Sequence, residues 1–316
     1  MLPSELSSGD AIADRRADYA RMLAESGEPA SAAELMEQAL ELTPGWAAGW
    51  FRLASYREKA DDATGAIDAL DKVLTLDPGD IFGARLKLAV LGAIDVPDQP
   101  PSRYVERLFD DYADRFETSL VEKLHYTVPQ KLAALIVGAG DLPARYRLAV
   151  DLGCGTGLLG PEIRNRVERL EGFDLSQGML AKAEDKDVYD HLAQADLSLP
   201  PDQSGVFGEG LAKHRADLIA AADVLMYLGS LERVMAVASE LAAPGAVFAF
   251  SVEDAGEEGS FLLRDSLRYA HSEAYIRMIT AAHGFAVRGL ERTIIRMDAG
   301  KPVHGILFLT QAKSSE

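Results

Sequence analysis

The chain has 316 residues, 48% of them hydrophobic, and a formal net charge of −18 at pH 7. This length suits two domains better than one, and the apolar content is enough to bury a sizeable core. A strongly negative surface repels phosphate backbones, so we expect no nucleic acid as a partner. The sequence has one cysteine, Cys154, which excludes an intramolecular disulfide and a cysteine-based zinc site, and we expect no metal.

The N-terminus lacks the basic segment and apolar run of a secretory signal. No apolar stretch reaches about 18 residues, the length that a membrane-spanning helix needs. We therefore expect a cytoplasmic protein that does not bind a membrane. The classes that remain are a globular enzyme and an interaction protein.

The first ninety residues contain an internal repeat. Residues 13–44 align with residues 47–78, and Pro44 precedes Pro78 by 34 positions. A 34-residue period that places small residues at fixed helix positions and ends in proline is typical of tetratricopeptide repeats. We predict an all-α repeat domain over residues 1–95, with a groove that could bind a peptide or protein.

Residues 96–145 are predicted to form a linker followed by covering helices. The prolines of residues 92–103 indicate the linker. Beyond it, large apolar side chains recur every four residues, which places them on one face of a helix. These residues are Tyr104, Leu108, Tyr112 and Phe116. Such a face either packs in a core or closes over a ligand, and periodicity does not choose between the two.

From residue 146 onward, patterns typical of strands alternate with patterns typical of helices. The strand-like runs cover 147–153, 170–175, 191–197, 216–225, 245–254, 286–297 and 303–312. The helix-like runs cover 157–168, 176–186, 230–243 and 272–284. Alternation predicts a parallel sheet with helices on both faces, and the short turn between the last two strands predicts an antiparallel hairpin. The expected fold is α/β, a Rossmann-like, doubly wound, mostly parallel seven-stranded sheet over 146–316 with that hairpin at one edge.

The turn after the first of these strands reads DLGCGTG, residues 151–157, and has the composition of a nucleotide-binding turn. In doubly wound sheets, ligands bind at the carboxyl ends of the strands, where glycines let the backbone approach them closely. The same region matches the GxGxxG pattern of dinucleotide sites, but Asp151 would set a carboxylate against a pyrophosphate. Asp151 suits a ligand with positive charge, such as the ammonium and sulfonium of S-adenosylmethionine.

The chain resembles the class I S-adenosylmethionine-dependent methyltransferases over roughly residues 104–312. The run VDLGCGTG, residues 150–157, matches their first motif throughout. The resemblance implies S-adenosyl-L-methionine as cofactor and S-adenosyl-L-homocysteine as product. It also implies that Asp174, at the end of the next strand, holds the ribose hydroxyls.

Further cofactor contacts are implied by the same resemblance. Asp196 would accept from the adenine amine, and the amide of Ala195 or Leu197 would meet a ring nitrogen. Met179 either packs near the adenine or belongs to a helix core. The implied cofactor-binding residues of this domain are Asp151, Gly153, Cys154, Gly155, Gly157, Asp174, Leu175, Met179, Ala195, Asp196 and Leu197.

Residues 109–132 resemble the covering helices of methyltransferases that follow tetratricopeptide repeats. The resemblance implies that Tyr112, Phe116 and Tyr126 close over the methionine end of the cofactor and over the acceptor. It thereby favours the ligand-closing alternative for the apolar face. These three residues complete the predicted cofactor site.

Methyl transfer from a sulfonium is an in-line displacement, so the protein mainly aligns the reactants and excludes water. A general base is needed only if the nucleophile arrives protonated. Asp223 is a candidate to orient the acceptor or to cap a helix, and Tyr227 to line the methyl channel or to pack. His271 is a candidate base, or a capping or surface residue.

The methyl acceptor is not identified by the sequence, and it is either a small molecule or a protein. The leading interpretation is therefore a methyltransferase that acts on an acceptor of unknown identity. The alternative is a repeat-based interaction protein whose S-adenosylmethionine-binding domain is catalytically idle.

Overall fold

A computed structural model describes residues 7–116, 126–140, 142–257, 259–298 and 300–313. The chain divides into two compact units, of which one contains residues 1–97 and the other contains residues 98–264 and 268–316. Each unit has hydrophobic clusters made only of its own residues. The finer predicted division at residues 95 and 145 stays a prediction. In the described part of the chain, no helix is long and apolar enough to cross a membrane.

The first unit consists of short helices. They are α1 (Ala11–Glu25), α2 (Pro29–Leu42), α3 (Ala47–Lys59), α4 (Ala63–Leu76) and α5 (Ala84–Val90). Ala20 and Ala54 lie one period apart and are both buried, and the same holds for Ala32 and Ala66. Small side chains at these positions let neighbouring helices pack closely, which explains why the repeat conserves their size at a fixed spacing along this sequence.

The second unit is built on one sheet. Its strands are β1 (Tyr146–Leu152), β2 (Val167–Asp174), β3 (His191–Gln194), β4 (Ala216–Ala221), β5 (Ala242–Asp254), β6 (Phe261–Leu263), β7 (Tyr269–His271), β8 (Phe285–Asp298) and β9 (Lys301–Ala312). The main order is β3-β2-β1-β4-β5-β9-β8, with β1 to β5 parallel and the β8–β9 hairpin antiparallel. The predicted mostly parallel sheet with a C-terminal antiparallel hairpin is confirmed, but in the described residues it has nine strands where seven were predicted.

Helices cover both faces of this sheet. They are α6 (Ser102–Tyr112), α7 (Val128–Gly138), α8 (Gly160–Ile163), α9 (Gln177–Glu184), α10 (Glu232–Leu241) and α11 (Glu273–Ala282). Successive strand residues point to opposite faces. Phe248 and Phe250 of β5 accordingly join the cluster that includes α10 and α11, whereas Val247 and Ala249 join the cluster that includes α7.

One predicted helix is much shorter than expected. The pattern over 157–168 predicted a helix, but α8 makes a single turn and a 3-10 turn follows at Arg164–Arg166. Val167 already pairs with Tyr146 in the sheet, so the last residues of the predicted helix belong to β2 instead. Tertiary pairing therefore overrides the local helical pattern.

Two short strands, β6 and β7, were not predicted and extend the sheet at its carboxyl edge. Glu253 of β5 pairs with Ala270 of β7 and also with Gly305 of β9. A strand has two edges, so β7 lies on the same edge of β5 as β4, beyond the point where β4 ends. This placement brings residues near β7 to the end of the sheet where parallel α/β proteins bind ligands.

Because the second unit has its own clusters, residues 98–316 expressed alone are expected to fold. We expect a soluble product with one cooperative thermal transition, measured by circular dichroism beside the full-length chain. An insoluble product, or one without a cooperative transition, would show that the repeats belong to the same folding unit.

Candidate cofactor and acceptor site

A cavity of about 290 Å³ lies at the carboxyl ends of the central strands. The turns after β1, β2 and β3 line one end, with Asp151, Gly155, Asp174, Leu175 and Asp196 among their residues. The other end is lined by residues from three places in the chain. Asp223, Met226 and Tyr227 follow β4, Arg268 precedes β7, and Arg296 belongs to β8. The cavity therefore lies where a doubly wound sheet is expected to bind its ligand.

The glycine turn has the backbone conformation that glycine permits. Gly153 has φ of +67°, and a Cβ there would lie 2.3 Å from Cγ2 of Val224. The amides of Gly153 and Cys154 both donate to the carbonyl oxygen of Phe173, at 2.7 and 3.0 Å, and so attach the turn to the end of β2. Gly155 has φ of +55°, and nothing lies within 4 Å of its missing Cβ. The backbone at Gly155 is thus open to a ligand in the cavity.

Asp151 is the next-to-last residue of β1, within its buried run, and is only 1% exposed. Its Oδ2 accepts a hydrogen bond of 2.7 Å from the Tyr189 hydroxyl. Burial raises the pKa of Asp151 to about 7, the Tyr189 hydrogen bond opposes this rise, and the charge of Asp174 adds to it. Among the described residues no cation pairs with this carboxylate, so a positively charged ligand group would stabilise its ionised form.

Tyr189 was missed by the sequence analysis, although three glycines make room for its ring. A Cβ at each of them would lie 2.9 Å from a ring atom: Gly157, Gly160 and Gly172. Gly157 is buried and packs against Tyr189, and its predicted contact with the cofactor stays a prediction. The GxGxxG spacing of this chain partly serves to seat the tyrosine that holds Asp151.

Asp174 ends β2, and its carboxylate is held by backbone amides. Oδ2 accepts from the Gly155 amide at 2.8 Å, and Oδ1 accepts from the Ser176 amide at 2.9 Å. Burial raises the pKa of Asp174 to about 6, and these two backbone hydrogen bonds act against the rise. Each carboxylate oxygen can accept more than one hydrogen bond, so the fixed group still has lone pairs for two neighbouring hydroxyls.

The segment after β3 lies at the same end of the cavity. Oδ1 of Asp196 accepts from the Ser198 amide at 2.8 Å, and Ala195 and Leu197 are buried cavity residues. The Ala195 amide already donates to the Asp174 carbonyl oxygen at 2.9 Å. Of the two amides predicted to meet an adenine nitrogen, that of Leu197 is therefore the better candidate.

Met179 occupies the helix core rather than the cavity. Its side chain is fully buried, and it is absent from the lining of the cavity among the described residues. Its amide donates to the Ser176 hydroxyl, which caps the start of α9. Of the two alternatives predicted for Met179, packing near the adenine or a position in a helix core, the structure favours the helix core.

The covering segment contributes Tyr112, Phe116 and Tyr126 to the cavity wall, and their contact with the cofactor stays a prediction. Tyr104, at the start of the predicted face, does not line the cavity, and Phe109 does so instead. Phe109 packs edge-to-face on Tyr227, with ring centroids 4.9 Å apart. The predicted cover also included residues 117–125, which lie outside the described residues.

A row of polar residues holds α6 against the cofactor end of the cavity, and sequence analysis missed it. Oδ1 of Asp110 accepts from the Ser176 hydroxyl at 2.5 Å and from the Gly178 amide at 3.1 Å. Glu106 accepts from Gln194 at 2.9 Å. Together with Ser102 and Asp114, which contact Ser198 and Lys182, the row repeats every four residues. That spacing places it on one helix face and could have been found in the sequence.

Asp223 lies at the acceptor end and is paired with an arginine from the distant hairpin. Its two oxygens accept from Nη1 of Arg296 at 2.9 and 3.0 Å. Nη2 of Arg296 donates to Glu253, and Arg296 is 1% exposed. Asp223 has φ of +55°, and its amide donates to the Ser251 hydroxyl at 2.7 Å. The carboxylate is thus held in the cavity wall by a buried cation.

Tyr227 lies beside Asp223 and near a second arginine. Burial raises the pKa of Tyr227, and the positive charge of Arg268 opposes this rise. Nη1 of Arg268 donates to Oδ2 of Asp298 at 2.9 Å. Arg268 and Arg296 are two cavity residues that sequence analysis did not single out.

His271 is not brought to the cavity. It is fully buried, its Nε2 lies 2.9 Å from the Gly229 carbonyl oxygen, and its ring stacks on Tyr275 with centroids 6.0 Å apart. Burial lowers the pKa of His271 to about 4. The catalytic role predicted for it is therefore corrected to a packing role.

Comparison with known protein families agrees with this geometry. Residues 150–248 match the family model of a methyltransferase domain, and residues 13–56 match that of a tetratricopeptide repeat. The chain therefore carries a methyltransferase domain built on a Rossmann-like sheet, and a tetratricopeptide repeat precedes it. S-adenosylmethionine, the predicted cofactor, is the methyl donor that agrees with a methyltransferase domain.

Similarity to individual proteins is more limited. A malonyl-[acyl-carrier protein] O-methyltransferase of Enterobacter lignolyticus is 31% identical over 111 residues, which cover 35% of this chain and 41% of that protein. The match thus spans less than half of the relative's length.

Two solved structures have the same fold. One is a chain from the complex of the Haloferax volcanii Trm112 methyltransferase activator with a methyltransferase, at TM-score 0.51 and 16% identity, covering 65% of this chain and 97% of that one. The other is the [4+2]-cyclase SpnF, at TM-score 0.53 and 17% identity, covering 70% and 98%. A cyclase with this fold shows that the fold by itself does not define the reaction.

Substitution Asp174→Ala is expected to weaken S-adenosylhomocysteine binding by about tenfold or more, because a buried acceptor for two hydroxyls is lost. The measurement is calorimetric titration of the full-length chain. Asp217→Ala is the matched control, since Asp217 also accepts from two backbone amides, those of Arg147 and Leu148, but does not line the cavity. An unchanged dissociation constant in Asp174→Ala would contradict the ribose assignment.

Substitution Tyr189→Phe tests how the Asp151 carboxylate is kept ionised. The lost hydrogen bond lowers the pKa of Asp151 in the native protein, so its removal should raise that pKa above about 7. Cofactor affinity at pH 7 should then fall several-fold and should recover by about pH 8.5, where the carboxylate is ionised again. An equal loss of affinity at both pH values would indicate a packing defect instead.

Proposed function

We propose that this protein is an enzyme that transfers the methyl group of S-adenosylmethionine to an acceptor held in the same cavity. One observation carries the proposal. A single cavity is lined at one end by Asp151, Asp174 and Asp196 and at the other by Asp223 and Tyr227. One end has the groups that the cofactor needs, and the other has polar groups that can hold a second molecule.

The residues of the first end fit the cofactor chemically. Asp151 is a buried carboxylate that a cationic ammonium would stabilise, and Asp174 is held by two amides with lone pairs left for the ribose. Asp196 and the Leu197 amide are the candidates to recognise the adenine. Gly155 leaves the backbone open beside them.

S-adenosylmethionine supplies a methyl group on a sulfonium, which leaves as a neutral thioether. The chain must align the acceptor with that methyl group and keep water out. Phe116 and Tyr126 cover the cavity, and Phe109 packs on Tyr227 across it. Tyr227 would shape the passage to the methyl group, while Asp223, fixed by Arg296, would orient the acceptor or the arginine.

The acceptor is proposed to present an oxygen atom. Support comes from the name of the relative, which describes O-methyl transfer. The acceptor is a small molecule or a group on a protein, and in the second case the repeats of residues 1–97 would bind the protein. A methyltransferase of similar fold has been solved in complex with an activator protein. A protein partner of this chain would correspond to that activator.

Turnover is tested with the full-length chain and methyl-labelled S-adenosylmethionine. One cell extract is divided into a small-molecule filtrate and a dialysed protein fraction, and each is assayed separately as the source of the acceptor. We expect S-adenosylhomocysteine to form together with labelled product in one of the two fractions. Asp174→Ala should lower the rate at least about tenfold at limiting cofactor, and Asp217→Ala should not. Tight cofactor binding without turnover in either fraction would favour a repeat-based interaction protein with an idle domain.

A further inference from the structure

We propose that the methyl acceptor is a carboxylic acid, whose carboxylate binds Arg268 and Arg296 and leaves as a methyl ester. This inference rests on the proposed methyl transfer and names its substrate class. It starts from the distribution of charge along the cavity. Three carboxylates line the cofactor end, whereas the other end has both arginines of the described lining and one carboxylate, Asp223.

Arg296 has a donor that the protein leaves without a partner. Its Nη1 donates to Asp223 and to the Met226 sulfur, and its Nη2 donates to Glu253. Its Nε is buried and has no hydrogen-bond partner among the described residues. Buried polar groups in native proteins almost always have partners, and Arg296 lines the cavity, so we assign this N–H to an acceptor atom of the ligand.

Arg268 supplies the second set of donors. Its side chain is 25% exposed, it lines the cavity, and its Nη1 donates to Asp298. A guanidinium has five N–H donors in a planar fork, and this contact does not use all of them. Such a fork binds carboxylates in a defined orientation, which a reaction that needs alignment requires.

The chemistry of a carboxylate acceptor fits the rest of this end. A carboxylate is ionised at neutral pH, so it needs no proton acceptor. One of its oxygen lone pairs forms the bond to the methyl carbon, while the carbon–sulfur bond breaks and its electron pair stays on sulfur. The products are a methyl ester and S-adenosylhomocysteine, and no proton moves.

Charge disappears in this reaction, because an anion and a sulfonium give two neutral groups. Water stabilises the charged reactants more than it stabilises the transition state, in which the charges are already partly neutralised. A cavity that excludes water therefore favours this step. Asp223 is engaged by Arg296 through both oxygens. It is thereby placed as a positioning residue for the arginine, and not as a group that takes a proton.

The test uses the full-length chain, methyl-labelled S-adenosylmethionine and pairs of probes. Each pair consists of a carboxylic acid and its primary amide. The acids are medium-chain fatty acids, aromatic acids and half-thioesters of short dicarboxylic acids. Methyl esters release labelled methanol in mild alkali, whereas N-methyl, S-methyl and ether products do not. We expect alkali-volatile label from at least one acid and none from its amide.

Arg268→Gln is expected to lower kcat/KM for that acid by about tenfold or more, mainly through KM, because a charged anchor is lost. Cofactor affinity should stay within about twofold, and Arg268→Lys should keep part of the activity. Arg147→Gln is the matched control, since Arg147 is an exposed arginine at the opposite end of β1. Thermal unfolding of each variant checks that the fold is retained.

Four results would overturn the proposal: alkali-stable label, equal labelling of acid and amide, no ester from any acid of the panel, or an Arg268→Gln variant that loses cofactor affinity instead of acid affinity. The last result would assign the arginine to the carboxylate of the cofactor. Failure of the proposed function is distinct from all four, because S-adenosylmethionine would then not bind or would not be consumed.

Discussion

The burial of the Asp151 carboxylate is the constraint on which the site depends. A carboxylate with one hydroxyl partner and no cation is costly to ionise in the interior, and its pKa of about 7 reflects that cost. The glycine turn follows this group, and the glycines around Tyr189 seat the tyrosine that donates to it. A cofactor with an ammonium and a sulfonium relieves the cost, which a pyrophosphate would instead increase.

The two ends of the cavity arise in different ways. The cofactor end is local, because Asp151 and Asp174 lie at the carboxyl ends of neighbouring parallel strands that follow each other in the chain. The acceptor end is assembled over long sequence distances: Arg296 of β8 reaches Asp223, 73 positions earlier in the chain. The antiparallel hairpin and the β6–β7 extension supply the arginines, so acceptor chemistry can vary without change to the cofactor turn.

Much of the fold could be predicted from local patterns, since repeats, strand alternation and the turn motif are all properties of short windows. Asp151 and Asp174 could be predicted for the same reason. His271 was assigned wrongly because its position before a helix says nothing about burial, which β7 pairing decides. Tyr189 and Arg296 could not be placed, because their roles come from tertiary contacts that no window contains.

The most direct test of the account is calorimetric titration of the full-length chain with S-adenosylmethionine, S-adenosylhomocysteine and NAD. The account predicts micromolar dissociation constants for the two adenosyl ligands and no heat of binding with NAD. Binding of NAD, or no binding of either adenosyl ligand, would contradict the assignment of Asp151 as the partner of a cationic cofactor.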